Sequence, residues 1–280
     1  MNYQGQPEFA LAESLTPNKA ATEWTIRIRS GVVTHDGKPF GAKDVLFTFG
    51  RIVKNKFPGI NSLGTINVGA SKVMDSHTVL LKFDKPFSIL PQALSLHWIF
   101  YMVPVGYDPK HPIGTGPFKL VNFLPGRQST VARHTEYWDH PKPYLDGVVT
   151  INISDETAQI NALQSGQVDA IDYLTAGSIG AIQSSSSAKL IISEKTGGWE
   201  PFTMRVDRTP YSDVRVRKAL KLVIDRPAMI RSVFAGHGQI GNDVFGIYDK
   251  YFDKSLLPQR VQDLAQAKSL LKQAGQPNLA

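Results

Sequence analysis

HPIGTGPFKL, residues 111–120, is the stretch on which the architecture turns. Pro112 and Pro117 fix φ and bias the residue before each toward extended backbone, so no helix passes through it. Gly114 and Gly116 allow positive φ and close backbone approach. Phe118–Phe123 then reads as a strand, with Phe118, Leu120, Val121 and Phe123 apolar. A tight turn therefore delivers the chain from one subdomain into another. A Gly-Thr-Gly turn can touch a phosphate, but neither GxGxxG nor GxxxxGK[ST] completes the pattern here.

Upstream of the turn, residues 1–22 read as an irregular lead-in with an apolar spot at Phe9, Ala10 and Leu11. Trp24–Arg29 alternates, with Trp24, Ile26 and Ile28 on one face, and predicts a half-buried strand. His35-Asp36-Gly37-Lys38 is an Asp-Gly turn of the hairpin-closing kind. Ala42–Val53 carries Val45, Leu46, Phe49, Ile52 and Val53 at helical spacing. Val73–Lys85 is strand-like with a turn at Asp75-Ser76. Phe87–Val105 predicts a short apolar helix and then a strand-like run over Trp98–Val103.

Downstream, Lys119–Phe123 and Thr130–Arg133 read as paired strands across Pro125-Gly126. Leu145–Ile153 is β-branched and reads as a strand buried on both faces. Asp155 caps a helix over Glu156–Leu163, which Gly166 ends. Val168–Tyr173 follows as a second buried strand, so residues 145–173 predict a βαβ unit with a right-handed crossover. Gly177–Ser187 reads as a loop or short helix. Lys189–Glu194 and Phe202–Val206 read as extended runs, and residues 237–259 as irregular. Helices are expected over Val214–Ile224, capped by Ser212 or Asp213, after Asp225 with Pro227 in the first turn, and after Asp263. Nothing follows the last helix to bury its face.

The 280 residues, 42% hydrophobic and 20% charged, have the composition of a soluble globular protein with room for a real core. The net charge of +7 comes from scattered basic residues, so no nucleic-acid footprint is expected. The absence of cysteine rules out disulfides, thiolate catalysis and cysteine metal sites. MNYQGQPEFALAES has no basic segment followed by an apolar one, so no secretory signal is expected in this chain. No stretch reaches the roughly 20 apolar residues of a membrane span.

Chemistry-bearing patterns are few. His35 beside Asp36 could form an acid–base pair, although sequence neighbours on a turn seldom orient each other for that work. Asp169 and Asp172 do not share one face of a strand, so no metal site is expected. Gly197, Gly198 and Trp199 between two extended runs read either as a ligand wall or as a turn with one core aromatic. Trp98, Phe100 and Tyr101 read either as pocket lining or as core.

Six stretches in order carry a resemblance: PEFALAES, EWTIRIRSGVVTHDGKPFGAKDVLFTF, IGTGPFKL, ALQSGQVDAID, YSDVRVRKALKLVIDRPAMI and DLAQAKSLLKQAG. Together they resemble the family 5 extracellular solute-binding proteins, the peptide/nickel type that serve ABC importers, over residues 7–275. The resemblance implies an α/β, periplasmic-binding-protein-like type II two-lobed fold with a small inserted α+β subdomain. The first lobe would be residues 1–14 and 114–204, the insert 15–113, and an incomplete second lobe 205–280. Family members are nearly twice this length, so the chain is expected to be truncated at both ends. It would bind a peptide or other small solute between lobes and hand it to ABC permease membrane subunits, without catalysis, cofactor or metal. The implied ligand-side segment is Gly198–Met204, which puts Gly198, Trp199, Glu200, Phe202 and Met204, with Trp98, as the candidate site. Location would be periplasmic or at the cell surface, and the expected state is a monomer, with association through unpaired apolar surface as the exception.

Two readings of other classes stand beside it. A hydrolase on an α/β scaffold would need a non-sequential triad, since GxSxG and HExxH are absent. A non-catalytic interaction module would act through exposed apolar faces, and concentration-dependent size would reveal it.

Overall fold

The computed structural model describes residues 8–95, 100–192, 201–241, 246–248, 252–257 and 260–279. The chain divides into two compact units, Met1–Asn152 and Ile153–Ala280. The first is built on strands β1 (Ala12–Pro17), β2 (Glu23–Ile28), β3 (Ile66–Val73) and β4 (Thr78–Phe83), in sheet order β1-β2-β4-β3 and antiparallel throughout. Helix α1 (Ala42–Lys54) packs across β3 and β4, and a short helix α2 (Leu90–Leu94) closes one side. A second sheet of β5 (Phe118–Leu124), β6 (Gln128–Arg133) and β7 (Gly147–Ile151) is also antiparallel, in chain order.

Period-two and period-3.6 patterns meet in the core of this unit. Trp24, Ile26 and Ile28 point inward from β2, and Val79, Leu81 and Phe83 from β4. They pack against Val45, Phe49 and Ile52 of α1, with Phe49 fully buried. Each such burial contributes about 1.5–3 kcal/mol. Trp24 also donates its indole N–H to the Phe87 carbonyl at 2.9 Å, so its polar edge is satisfied inside the core. Thr48 on α1 is buried because its hydroxyl bonds the Val103 backbone at both ends, N–H at 3.0 Å and C=O at 3.1 Å.

The second unit has α3 (Glu156–Gln164), α4 (Ile179–Gln183), α5 (Val214–Val223), α6 (Arg226–Val233) and α7 (Leu264–Gln273). Asp155, Asp213, Asp225 and Asp263 each accept a backbone N–H at the start of α3, α5, α6 and α7. Asp213, rather than Ser212, is the α5 cap. Gly166 and Gly275 take positive φ just beyond α3 and α7, as a left-handed helix stop requires. α7 does find a partner, earlier in the chain: Ala267 and Leu271 pack on Val216, Ala219 and Leu222 of α5. Arg215 of α5 donates to the Gln273 carbonyl at 2.8 Å and ties the pair at one end.

Several expectations fail for physical reasons. The lead-in contains β1, whose AESLTP sequence shows no alternation of its own and is held by backbone pairing to β2. The single strand-like run over Val73–Lys85 is the second arm of a hairpin. Its first arm, β3, is masked in sequence by Asn67, Gly69 and an irregular register between Asn67 and Lys72. β7 is not buried on both faces: Val148, Val149 and Ile151 are exposed on an edge strand with one neighbour. Val168–Tyr173 forms no strand, so the βαβ unit does not close, because apolar content alone supplies no neighbouring edge to bond to. Residues 189–192 and Phe202–Val206 likewise carry no ladder, and neither do residues 100–103, whose Phe100 and Val103 are nonetheless buried. The described part of 237–259 is irregular except for one 3-10 turn at Lys254–Leu256.

Phe49→Ala should lower the unfolding free energy of the first unit by about 3–5 kcal/mol, through lost burial plus cavity. Guanidinium unfolding followed by tryptophan fluorescence reads it, and a loss below 1 kcal/mol would contradict this core assignment.

Candidate functional site

The candidate site splits between described and undescribed chain. Trp98, Gly198, Trp199 and Glu200 lie outside the described residues. Phe202 and Met204 lie two apart on a run without helix or ladder, where Phe202 is 79% exposed and Met204 half-buried. Phe202 is thus a large exposed apolar side chain. Of the two aromatics grouped with Trp98, Phe100 is core and Tyr101 is exposed.

The best-determined constellation surrounds the Gly-Thr-Gly turn. His35 sits on the turn that follows β2, where Val33 and Pro39 form an isolated bridge. Its backbone N–H donates to the Gly114 carbonyl at 2.8 Å. Its ring accepts the Gly114 N–H on Nδ1 at 3.3 Å and lies 3.1 Å from the Gly116 carbonyl through Nε2. His134, just beyond β6, approaches the same carbonyl at 3.1 Å through Nδ1 and donates its backbone N–H to Pro117 at 2.8 Å. The two rings meet edge to face with centroids 5.1 Å apart. Gly114 and Gly116 are absent from the positive-φ positions, so the freedom they allow is not used there. A Cβ on Gly114 would meet His35 at an ordinary 3.7 Å, so the turn is held by imidazole bonds rather than by glycine-only backbone.

This geometry also disposes of the His35–Asp36 pair. Asp36 makes no hydrogen bond to the imidazole: its carboxylate accepts from the Thr34 hydroxyl and pairs with Lys38 Nζ at 2.7 Å. The Lys38 hydrogen bond, then that of Thr34, holds its pKa down at about 2. No base is oriented there, and sequence adjacency had no means of revealing that the ring turns toward a segment some eighty positions away. His134 was missed for the same reason, since nothing local marks it. A second His–carboxylate contact, His111 to Asp108 at 2.8 Å, is an exposed turn closure. Among the described residues no three His, Asp or Glu side chains gather to hold a metal ion.

Beside the turn runs an open groove of about 280 Å³ walled by Pro117, Phe118, Tyr137, Pro143 and Tyr144. The cation at its lip, Lys142, is paired with Asp139 at 3.0 Å. Burial, then the nearby Asp139 charge, pushes the Tyr137 pKa up, so its hydroxyl stays protonated. Such a groove offers apolar contact and no reacting group.

Comparison with known proteins fits a binding role. The model of bacterial extracellular solute-binding proteins, family 5 Middle, matches residues 6–280. The chain belongs to this family. It is a family of solute-binding proteins, not of enzymes. The glutathione-binding protein GsiB of Escherichia coli O1:K1 / APEC is 26% identical over 276 residues, covering 96% of this chain and 53% of GsiB. Among solved structures, DppA from Helicobacter pylori in complex with the peptide STSA aligns with a TM-score of 0.76 and 23% identity, covering 96% of this chain and 57% of DppA. The binding protein AgaA of A. tumefaciens R10 in complex with agropinic acid gives 0.75 and 26%, covering 99% and 57%. The fold is therefore that of the family's periplasmic binding proteins, and the chain spans about half the length of these family 5 relatives. Among the described residues no helix is long and apolar enough to cross a membrane.

The Asp36 carboxyl should titrate near pH 2, and Lys38→Ala should move it up toward the ordinary 3.8. Because the folded pKa is the lower one, the stability that Asp36 contributes is present above 3.8 and lost as pH falls toward 2. Carboxyl carbon NMR of both chains reads the two values, and an unmoved Asp36 in the variant would remove Lys38 as the cause.

Proposed function

We propose that this chain is the solute-capturing component of an ABC importer, taking a peptide or similar small solute between two lobes for delivery to membrane permease subunits. The observation that carries the reading is the family match across residues 6–280. The relatives' ligands, glutathione, a tetrapeptide and agropinic acid, are all small polar molecules with amide or carboxylate groups, which supports that ligand class. In this reading residues 1–14 and 114–204 form the first lobe of a type II fold, 15–113 an inserted α+β subdomain, and 205–280 the start of the second lobe. Capture takes place in the periplasm or at the cell surface.

Ligand contact falls to Gly198, Trp199, Glu200, Phe202 and Met204, and to Trp98. Phe202 supports this assignment, since a phenylalanine left 79% exposed can stack on a ligand. Glu200 would meet a ligand's cationic end.

Thermal unfolding with a mixed di- to oligopeptide pool tests the reading. A ligand at 100 times its Kd stabilises the native state by about 2.7 kcal/mol. Phe202→Ala should reduce that shift and leave ligand-free stability within about 0.5 kcal/mol, as for other exposed positions. A sharp transition that ignores peptides, glutathione and opines alike would overturn it.

A further inference from the structure

We propose that the His35–Gly116–His134 cluster is a proton-operated clasp within the first unit: with the His35 imidazole neutral it pins the Gly-Thr-Gly turn, and protonation of His35 as the pH falls releases it. The inference is independent of the transport reading.

The bonding pattern fixes both tautomers. A backbone N–H can only donate, so His35 Nδ1, which takes the Gly114 N–H, carries a lone pair. A carbonyl can only accept, so His35 Nε2 and His134 Nδ1 both bring N–H to Gly116. The His35 ring in this arrangement is uncharged. A proton added to His35 must go to Nδ1, where it would confront the Gly114 N–H, donor against donor. A proton added to His134 must go to Nε2. That atom is buried, makes no hydrogen bond among the described residues, and belongs to a side chain only 1% exposed. Neither ring can take up charge in place without losing a bond or burying an unpaired cation, which is costly.

The elements that would part are specific. His35 belongs to the loop between β2 and α1, and His134 follows β6 of the other sheet. The Gly114–Pro117 segment lies between them and bonds to both. The charged and titratable groups facing His35 are His134, Lys119 on β5 and Asp36, with Lys38 bound to Asp36. Lys119 and His134 oppose a second positive charge. Asp36 favours one, but its own charge is already matched by Lys38. Burial, reinforced by His134 and Lys119, holds the His35 pKa below the ordinary 6.5, against the opposing Gly116 bond and Asp36. An opened clasp exposes that imidazole at its ordinary value, so the open state binds more protons below pH 6.5. The clasp is therefore firm above that value and weakens as pH falls below it, by up to about tenfold in the opening equilibrium per pH unit, until the folded pKa is passed.

Hydrogen exchange on the full chain between pH 8 and 5 tests this, read as protection factors so that the intrinsic pH dependence of exchange cancels. Protection of the His35, Gly114 and His134 amides should fall between pH 7 and 5.5, by up to about eightfold, while amides of the β2–β4 ladder hold theirs. His35→Gln offers a carbonyl and an N–H but no titrating group, and should flatten that loss; His134→Asn keeps an N–H for Gly116 and leaves His35 to titrate, and should preserve it. Should either variant fail to fold, long-range ¹H–¹⁵N spectra of the wild-type imidazoles decide the matter. The clasp requires neutral Nε2–H for His35 at pH 7.5 and an N–H on Nδ1 of His134. A charged His35 at that pH, the opposite tautomers, or unchanged protection down to pH 5 would overturn the proposal.

Discussion

The four-stranded layer depends on one constraint: β2 must bury Trp24, Ile26 and Ile28 on the face where α1 delivers Phe49. Because strand side chains alternate, a register slip of one residue would turn all three outward. Pairing on both sides of β2 prevents that slip. β1 holds Leu15 opposite Ile26, and β4 holds Val79 opposite the same residue. α1 is then fixed at its start by Asp44, which accepts the Gly41 N–H at 2.8 Å and, through its other oxygen, the Val105 N–H at 2.8 Å. Helix placement and the path of the chain toward the Gly-Thr-Gly turn thus share one carboxylate.

The three-stranded sheet lacks such a layer. Leu120, Val121, Phe123, Val148, Val149 and Ile151 are all at least partly in solvent. A strand's own sequence specifies its backbone conformation, and its cover is supplied by something else. That is why β5 and β6 read correctly from their apolar pattern and their turn at Pro125-Gly126, while the expected double burial of β7 did not follow. It also gives the interaction-module reading its one physical footing, since exposed β-branched surface favours association.

What was legible in the sequence was local chemistry. Asp155, Asp213, Asp225 and Asp263 announce helix starts because a carboxylate one turn ahead of an apolar stripe satisfies otherwise orphaned N–H groups. Trp24–Arg29 announces its strand by alternation. What was illegible depended on partners far along the chain. β1 is a strand only because β2 accepts its bonds. Val168–Tyr173 is not one because no edge does. The α5–α7 pairing joins two stripes with about forty residues between them, and each stripe alone says only that it needs cover. Of the candidate site, the segment could be singled out from its glycines and tryptophan, whereas the exposure of Phe202 is a tertiary fact.

The same distinction bears on why the His35 turn holds no catalytic pair. Catalysis by a histidine needs a carboxylate or hydroxyl on one ring nitrogen and a reacting atom on the other. His35 has neighbours of the right kind in sequence, yet the ring spends both nitrogens on the backbone of the Gly-Thr-Gly turn. Asp36 is likewise spent on Thr34 and Lys38. Both groups have become structural. In the first unit the titratable groups around the turn are committed to fixing backbone geometry, which is why neighbouring His35 and Asp36 never meet as an acid–base pair.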